Sequence, residues 1–290
     1  MKLKSEATKR RTWILATRWS FLIHRGLKIS PLTPPWAAFH SCTRLGNVQV
    51  LRRVDTLHIS PVKGRGPVDD KEAQALKGVV RSIQVGLPQE ILAKPDEDLP
   101  NWRTGFVKTP VAGPVWLGKL NLAGDGQADL QNHGGPDKAV LGYAALHYAQ
   151  WQVDLHMQLP YGAFGENFTL DGLSEDTVCI GDVYQIGDAV LQVSQPRGPC
   201  WKISRRWGIP DLLARVQNTG RTGWYFRVLQ EGGVQAGDAV YPVSRVHPDL
   251  SISVVSGVVN AKQPDLAMIK KLADCEELAQ GWRDKAAKRL

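Results

Sequence analysis

VCIGDVYQIGDAVLQVSQPRGPC, residues 178–200, is the stretch whose reading decides the fold. Val178-Cys179-Ile180, Val183-Tyr184-Gln185-Ile186 and Ala189-Val190-Leu191-Gln192-Val193 read as short strands, parted by Gly-Asp pairs at 181–182 and 187–188. Closely spaced strands joined by glycine turns point to a barrel or a sandwich. A third Gly-Asp, at 237–238, precedes another strand-like run, Ala239-Val240-Tyr241-Pro242-Val243. The class expected is therefore mainly β.

The flanks fit that frame. Residues 79–85 alternate in the manner of a half-buried strand, and a loop rich in proline and acidic residues follows. Further strands are predicted near 114–117 and 139–143. Residues 144–155 carry Leu146, Tyr148, Ala149 and Trp151 at helical spacing. Two short helices are predicted at 201–207 and 210–217, with Pro210 suited to a first turn. After Arg245 the pattern turns helical. Leu266, Ile269, Leu272 and Ala273 share one face of 265–273, and Leu278, Trp282 and Ala286 recur at four-residue spacing in 276–289. A helical unit of this size cannot build a large core alone, so it should pack on the barrel.

The net charge of +8 belongs to one end of the chain. Residues 1–60 hold eleven Lys or Arg against two acidic residues, and the remainder holds 25 against 26. A nucleic-acid-binding body needs a basic face maintained across the fold, and the overall charge gives no sign of one. The basic segment reads as a poorly ordered extension or as a targeting peptide. The body is expected at 79–245 and the helical unit at 246–290. No apolar run is long enough to span a membrane. Four cysteines without zinc spacing fit a reducing, cytoplasmic setting.

Four segments could carry chemistry. In Gln195-Pro196-Arg197-Gly198-Pro199-Cys200, two prolines and a glycine stiffen a turn between a strand and a predicted helix. The helix start, Arg197 and Lys202 all favour a thiolate, which is a nucleophile or a soft-metal ligand. The plainer reading is an inert cysteine closing a turn. Cys179 reads as core, while Cys275 on a helix and Cys42 in the extension lack such a cationic turn.

Gln131-Asn132-His133-Gly134-Gly135-Pro136-Asp137-Lys138 pairs glycines that let a ligand approach with a histidine and a lysine. Phe164-Gly165-Glu166-Asn167-Phe168 places a carboxylate beside an amide, able to orient a ligand or shuttle a proton. Asn218-Thr219-Gly220-Arg221-Thr222-Gly223 suits an anion, and equally suits a glycine helix cap. No dinucleotide-binding, P-loop, zincin or hydrolase motif is present.

Together and in this order, these segments resemble the MOSC domain, named for the C-terminal domain of molybdenum-cofactor sulfurase, and most of all its YiiM-type subfamily. The strings are GDGQADLQNHGGPDKAV (124–140), PYGAFGENFTLDGLSEDTVCIGDVYQIGDAVLQVSQPRGPCWK (160–202) and QNTGRTGWYFRVL (217–229). The combination H-G-G, G-E-N and Q-P-R-x-P-C carries the likeness. It covers 79–245, and 246–290 looks like the three-helix domain that follows MOSC in that subfamily.

The resemblance implies a β-barrel of the pyruvate-kinase-insert type with short helices, followed by the small α-helical domain. It implies a molybdenum cofactor (molybdopterin) ligated by Cys200 in a pocket lined by His133, Glu166, Asn167 and Arg197. Lys138 is expected among the cofactor-binding residues, with Asn218 and Arg221 on the phosphate side. The implied activity is reduction of N-hydroxylated compounds, such as N-hydroxylated purine bases, with Glu166 or His133 supplying protons. The chain has no flavin or iron–sulfur motif, so a separate reductase should supply electrons. No residue argues for pyridoxal phosphate. Three other readings compete: a sulfur carrier with a persulfide on Cys200, a non-catalytic cofactor store, and, weakest, nucleic-acid binding through residues 1–60.

Overall fold

The hairpin inside the deciding stretch forms as its residues dictate. Val183–Ile186 and Ala189–Pro196 pair antiparallel with Ile186 opposite Ala189, leaving the two-residue turn Gly187-Asp188. Gly187 takes φ +56° while Asp188 stays at negative φ, a turn with glycine in its first central position whose twist matches that of the flanking strands. The structure is a computed structural model and describes Gln74 and residues 76–93 and 99–290. The expected extension at 1–60, with Cys42, lies outside the described residues.

In chain order the strands are β1 (Gly78–Val85), β2 (Gln89–Ile91), β3 (Trp102–Thr104), β4 (Thr109–Pro110), β5 (Val115–Leu117) and β6 (Val140–Ala144). They continue as β7 (Phe168–Asp171), β8 (Val183–Ile186), β9 (Ala189–Pro196), β10 (Trp224–Gln230), β11 (Gly232–Val234) and β12 (Ala239–Ser244). Seven close a ring in the order β12-β8-β9-β10-β6-β7-β1, sealed where β1 pairs back onto β12. Closure removes the open edges that would otherwise template aggregation. The protein is thus mainly β, a closed barrel with short helices and a helical C-terminus.

All ring pairings are antiparallel except β6 with β7. A parallel pair needs a crossover, and the helix Leu146–Leu155 supplies it. Register shifts in β1–β7, β10–β9 and β12–β8 bend the strands around the ring. β5 and β11 pair outside the ring, as do β2 and β3.

Leu170, Leu191, Val193, Trp224 and Phe226 belong to one continuous buried core. All eight residues of β9 are buried, because its outer face is covered too. Ser194 Oγ donates to Asp137 O (2.6 Å), and Ala279 N donates to Ser194 O (2.9 Å). The helices Ile252–Asn260, Leu266–Asp274 and Gln280–Ala287 bring Val255, Val259, Ile269, Leu272 and Ala286 into the same core. A second cluster, with Tyr143, Trp151, Phe164, Ile203, Leu212 and Val216, joins β6 to helices Leu146–Leu155, Lys202–Trp207 and Leu212–Thr219.

Several local expectations are corrected. Residues 178–180 are no barrel strand: Cys179 bridges Ser251, Ile180 N donates to Leu250 O and Ile252 N to Val178 O. The segment is captured by the chain entering helix Ile252–Asn260. The Pro-rich loop after β1 holds the β2–β3 pair. Leu146 and Ala149 face outward, and His147, Tyr148 and Trp151 form the buried face. Leu266 is exposed. The helix expected from Pro210 starts at Leu212, leaving Pro210 in the turn before it. Cys275 follows helix Leu266–Asp274 as its C-cap.

Candidate functional site

β9 delivers the cysteine turn to one end of the barrel. After Pro196, Arg197 N donates to Gly223 O (3.1 Å), which ties the turn to the start of β10. The Arg197 side chain folds inward and is only 5% exposed. Its Nη1 donates to Thr222 O (3.4 Å), and no carboxylate lies within ion-pair distance of it among the described residues. A buried cation without a counter-charge is costly unless an anion is met there. Cys200 is half-buried just before helix Lys202–Trp207, and its carbonyl accepts from Ile203 N (3.2 Å).

The cleft here has an inner space of about 70 Å³ and opens into a wider basin of about 590 Å³. Cys200, His133, Gly198 and Lys202 line both. Arg197, Lys138, Asn167 and Tyr225 line the inner space. The cleft thus gathers Cys200, His133, Lys138, Asn167 and Arg197 from three sequence segments.

Its floor is a polar network that the sequence reading missed. Lys108 Nζ pairs with Asp125 Oδ1, which also accepts from Gly86 N (2.9 Å). Asn167 Nδ2 donates to Asp125 Oδ2 (2.9 Å), while Asn167 Oδ1 accepts from Leu141 N (3.1 Å). Asn167 therefore lines the cleft but spends its polar atoms on holding the wall. Burial pulls the Lys108 ammonium below its ordinary value against the opposing pull of Asp125. The signal available was Gly124-Asp125-Gly126 inside the first matching string. Lys108 sits in an undistinguished loop and becomes visible only through its partner.

Gly165 holds φ +80° with its α-carbon against the Phe106 ring, where a Cβ would stand 2.6 Å from Phe106 Cδ2. Glycine is required there, and both residues line the cleft. On the opposite wall, Asp129 caps the single-turn helix Leu130–His133 through Asn132 N (3.0 Å). Lys138 Nζ donates to Asn132 O (2.8 Å), fixing the loop that carries His133. Burial lowers the His133 pKa, and Lys202, Arg197 and Lys138 lower it further against Asp129. Burial likewise pushes the Tyr225 phenol up, opposed by Arg197.

Three expected site residues lie elsewhere. Glu166 is fully buried and does not line the cleft. Its carboxylate accepts from Tyr148 Oη, Gly162 N (2.8 Å), Phe164 N (3.2 Å) and Thr169 Oγ1 (3.0 Å). A group with four donors closed around it knits the loop and has no path to a substrate in the cleft. Asn218 is exposed on helix Leu212–Thr219. Arg221 is committed to Asp154 (3.0 Å) and lies over the Trp151 ring. The 218–223 segment is the glycine cap that the plainer reading allows, with Gly220 left-handed at the helix end.

Comparison with known proteins agrees with this architecture. Residues 129–241 match the model for the MOSC domain, and 261–290 match that for the YiiM-like, 3-alpha helix domain. Uncharacterized protein YflK of Bacillus subtilis is 42% identical over 204 residues, covering 70% of this chain and 90% of that one.

The chain belongs to the MOSC family.

Among other members, Protein YiiM of Escherichia coli is 35% identical across 64% of this chain and 84% of its own. The crystal structure of YiiM from Geobacillus stearothermophilus superposes with a TM-score of 0.62 at 37% identity, covering 73% of this chain and 99% of that one. A protein named Reductase from Gibberella moniliformis is 38% identical over 170 residues, 57% of this chain but only 30% of that protein. In this MOSC chain the matched segment ends within β12, and the second match covers the last two helices.

Proposed function

We propose that this MOSC protein is a molybdenum-cofactor-dependent oxidoreductase that reduces N-hydroxylated compounds, such as N-hydroxylated purine bases, with electrons from a separate reductase. The observation that carries the reading is the pairing of a half-buried thiol, Cys200, with a buried and unneutralised guanidinium, Arg197, in one cleft. Thiolate is the soft ligand that molybdenum takes, and the cationic wall of Arg197, Lys138 and Lys202 fits an anionic pterin phosphate. The donor set therefore suits the group. The MOSC family is associated with that cofactor, and the fungal relative's name is consistent with reductive chemistry.

Cys200 Sγ would hold the metal, and Arg197, Lys138 and Lys202 would hold the pterin side. When bound, the cofactor supplies two electrons and an oxygen-accepting centre, so that R–NHOH, two electrons and two protons give R–NH2 and water. The chain's own part is to deliver protons and exclude competing water. Lys108, whose ammonium is made a stronger acid by burial, and His133, which an anion seated among Lys202, Arg197 and Lys138 would bring to its protonated form, are the proton donors on the cleft wall. Glu166, sealed away, takes no part.

The test is elemental analysis of protein made in a host competent for cofactor synthesis, with a reduced viologen dye as artificial donor. Near-stoichiometric molybdenum in the wild type, lost in Cys200→Ala together with N-hydroxylated base reduction, is the expected result. Equal metal in both proteins would overturn the ligand role of Cys200, and a persulfide on Cys200 with no molybdenum would overturn the reading in favour of the sulfur-carrier role.

A further inference from the structure

A second set of metal-ligating side chains lies away from the cleft, where the barrel meets the C-terminal helices. His247 comes from the loop after β12, and Cys275 and Glu277 from the link between helices Leu266–Asp274 and Gln280–Ala287. Their ligand atoms all lie within 4.8 Å of one another. His247 Nε2 is 2.8 Å from Glu277 Oε2, and Cys275 Sγ is 3.8 Å from the same oxygen. Cys275 is buried, and the other two are half-buried.

We infer that His247, Cys275 and Glu277 form a second metal site, for a divalent borderline-soft cation, Zn2+, that clips the helical domain to the barrel.

The three ligand atoms are close enough for side-chain adjustment to complete a zinc geometry. Zinc bonds of about 2.0 Å to nitrogen and oxygen and about 2.3 Å to sulfur put tetrahedral ligand atoms roughly 3.3–3.5 Å apart. The two separations to Glu277 straddle that range, and the third, between His247 and Cys275, lies within 4.8 Å, so binding closes it by at most about an ångström, a rotamer-scale adjustment. The ligand types fit as well, since imidazole, thiolate and carboxylate are all zinc donors. Charge closes too: a thiolate and a carboxylate balance the dication, the imidazole binds neutral, and water takes the fourth position. Binding forms the S–Zn bond and releases the Cys275 thiol proton to solvent.

The surroundings shape the site. Gly181 holds φ +82° at its edge, where a Cβ would stand 3.0 Å from Glu277 Cγ and 3.4 Å from His247 Cδ2. The barrel's Gly181-Asp182 turn therefore walls one side. Because one ligand follows β12 and two follow the second C-terminal helix, an ion here would cross-link segments about thirty residues apart and stabilise their docking. The site shares no residue with the Cys200 cleft, so it stands or falls independently of the proposed reaction.

The probe is Co2+, a spectroscopic stand-in for zinc, added to the chelator-treated full chain, with Zn2+ displacement and elemental zinc as second readouts. In Cys200→Ser protein, where the cleft thiol cannot contribute, one equivalent of cobalt should give a thiolate-to-cobalt charge-transfer band that zinc abolishes. Cys275→Ser should lose the band, and His247→Gln and Glu277→Gln should weaken binding by at least about tenfold. Should a cysteine variant unfold, the circular dichroism of Glu277→Gln, which leaves the thiol and the imidazole in place, identifies a folded protein for the same titration. A band that persists unchanged in Cys275→Ser, or no band in Cys200→Ser protein, would overturn the site.

Discussion

Lys108 and Asp125 form an ion pair with side chains 7% and 0% exposed, set in the wall of the cleft that also holds Cys200. The two ends are unequal. Asp125 accepts from Gly86 N and Asn167 Nδ2 as well, whereas the Lys108 ammonium has Asp125 as its ion-pair partner. Asp125→Asn strands a buried ammonium and should cost about 3–5 kcal/mol. Lys108→Met leaves the carboxylate with two donors and should cost less. The double variant should be more stable than Asp125→Asn alone. Urea midpoints of the four proteins close the cycle, and strictly additive costs would show that the pair is not coupled.

The same lysine gives a pH signature. Its folded pKa lies below the ordinary 10.5, with burial the largest cause. Between the lowered value and 10.5 the unfolded chain binds more protons than the folded one, so stability rises with pH across that window. Lys108→Met should flatten this alkaline slope in denaturant titrations at stepped pH. A slope unchanged by the substitution would mean that other groups produce it.

Glu166→Gln separates a structural from a chemical role. An amide can replace one carboxylate oxygen but presents a second donor to Phe164 N, leaving that buried N–H unmatched. The expected loss is about 1–3 kcal/mol. Molybdenum content per folded molecule should stay at the wild-type level, because the carboxylate does not reach the cleft. Normal stability with lost metal would reverse the assignment.

The barrel was legible because its signals are local. Gly187-Asp188 can do little but turn, and the runs beside it can do little but pair. The error at 178–180 has a physical cause: an apolar triplet beside a glycine pairs equally well with any neighbouring backbone, and Ser251 won by a contact over seventy residues away. The site divides in the same way. Cys200, Arg197 and His133 sit in turns whose glycines and prolines mark them. Glu166 looks identical in sequence whether it faces substrate or four donors, because Tyr148 and Thr169 reach it only after folding. Lys108 is hidden for the same reason, its partner lying in another loop.

Two glycines should respond in opposite directions. A Cβ on Gly142, inside β6, would meet Phe226 Cε2 at 2.9 Å and Leu170 Cδ1 at 3.1 Å. Gly142→Ala should cost about 1–3 kcal/mol through overpacking. Gly257 lies exposed in helix Ile252–Asn260 with nothing within 4 Å of such an atom. Gly257→Ala should add about 0.4–1 kcal/mol, chiefly by restricting the unfolded chain. A thermal midpoint that rises in Gly142→Ala would contradict the packing described for β6, and one that falls in Gly257→Ala would contradict the open space at that position.

His133 reports whether the cleft meets an anion. In the free protein burial lowers its pKa first, then Lys202, with Arg197 and Lys138 adding to the effect. Between that lowered value and 6.5 the unfolded chain binds the extra proton, so stability rises with pH there and is lost as pH falls through 6.5. An anion among those cations offsets their repulsion and must raise the histidine's pKa, which turns a reluctant base into a group protonated nearer neutrality. Inorganic phosphate is the simplest probe. Imidazole NMR titrations, with the His133 signal assigned through His133→Gln, should move upward on adding phosphate. Lys202→Ala should move the same signal upward without phosphate, and phosphate should then add less. A titration indifferent to both would leave the cationic wall without influence on the histidine, and would remove the electrostatic basis for seating an anionic cofactor beside Cys200.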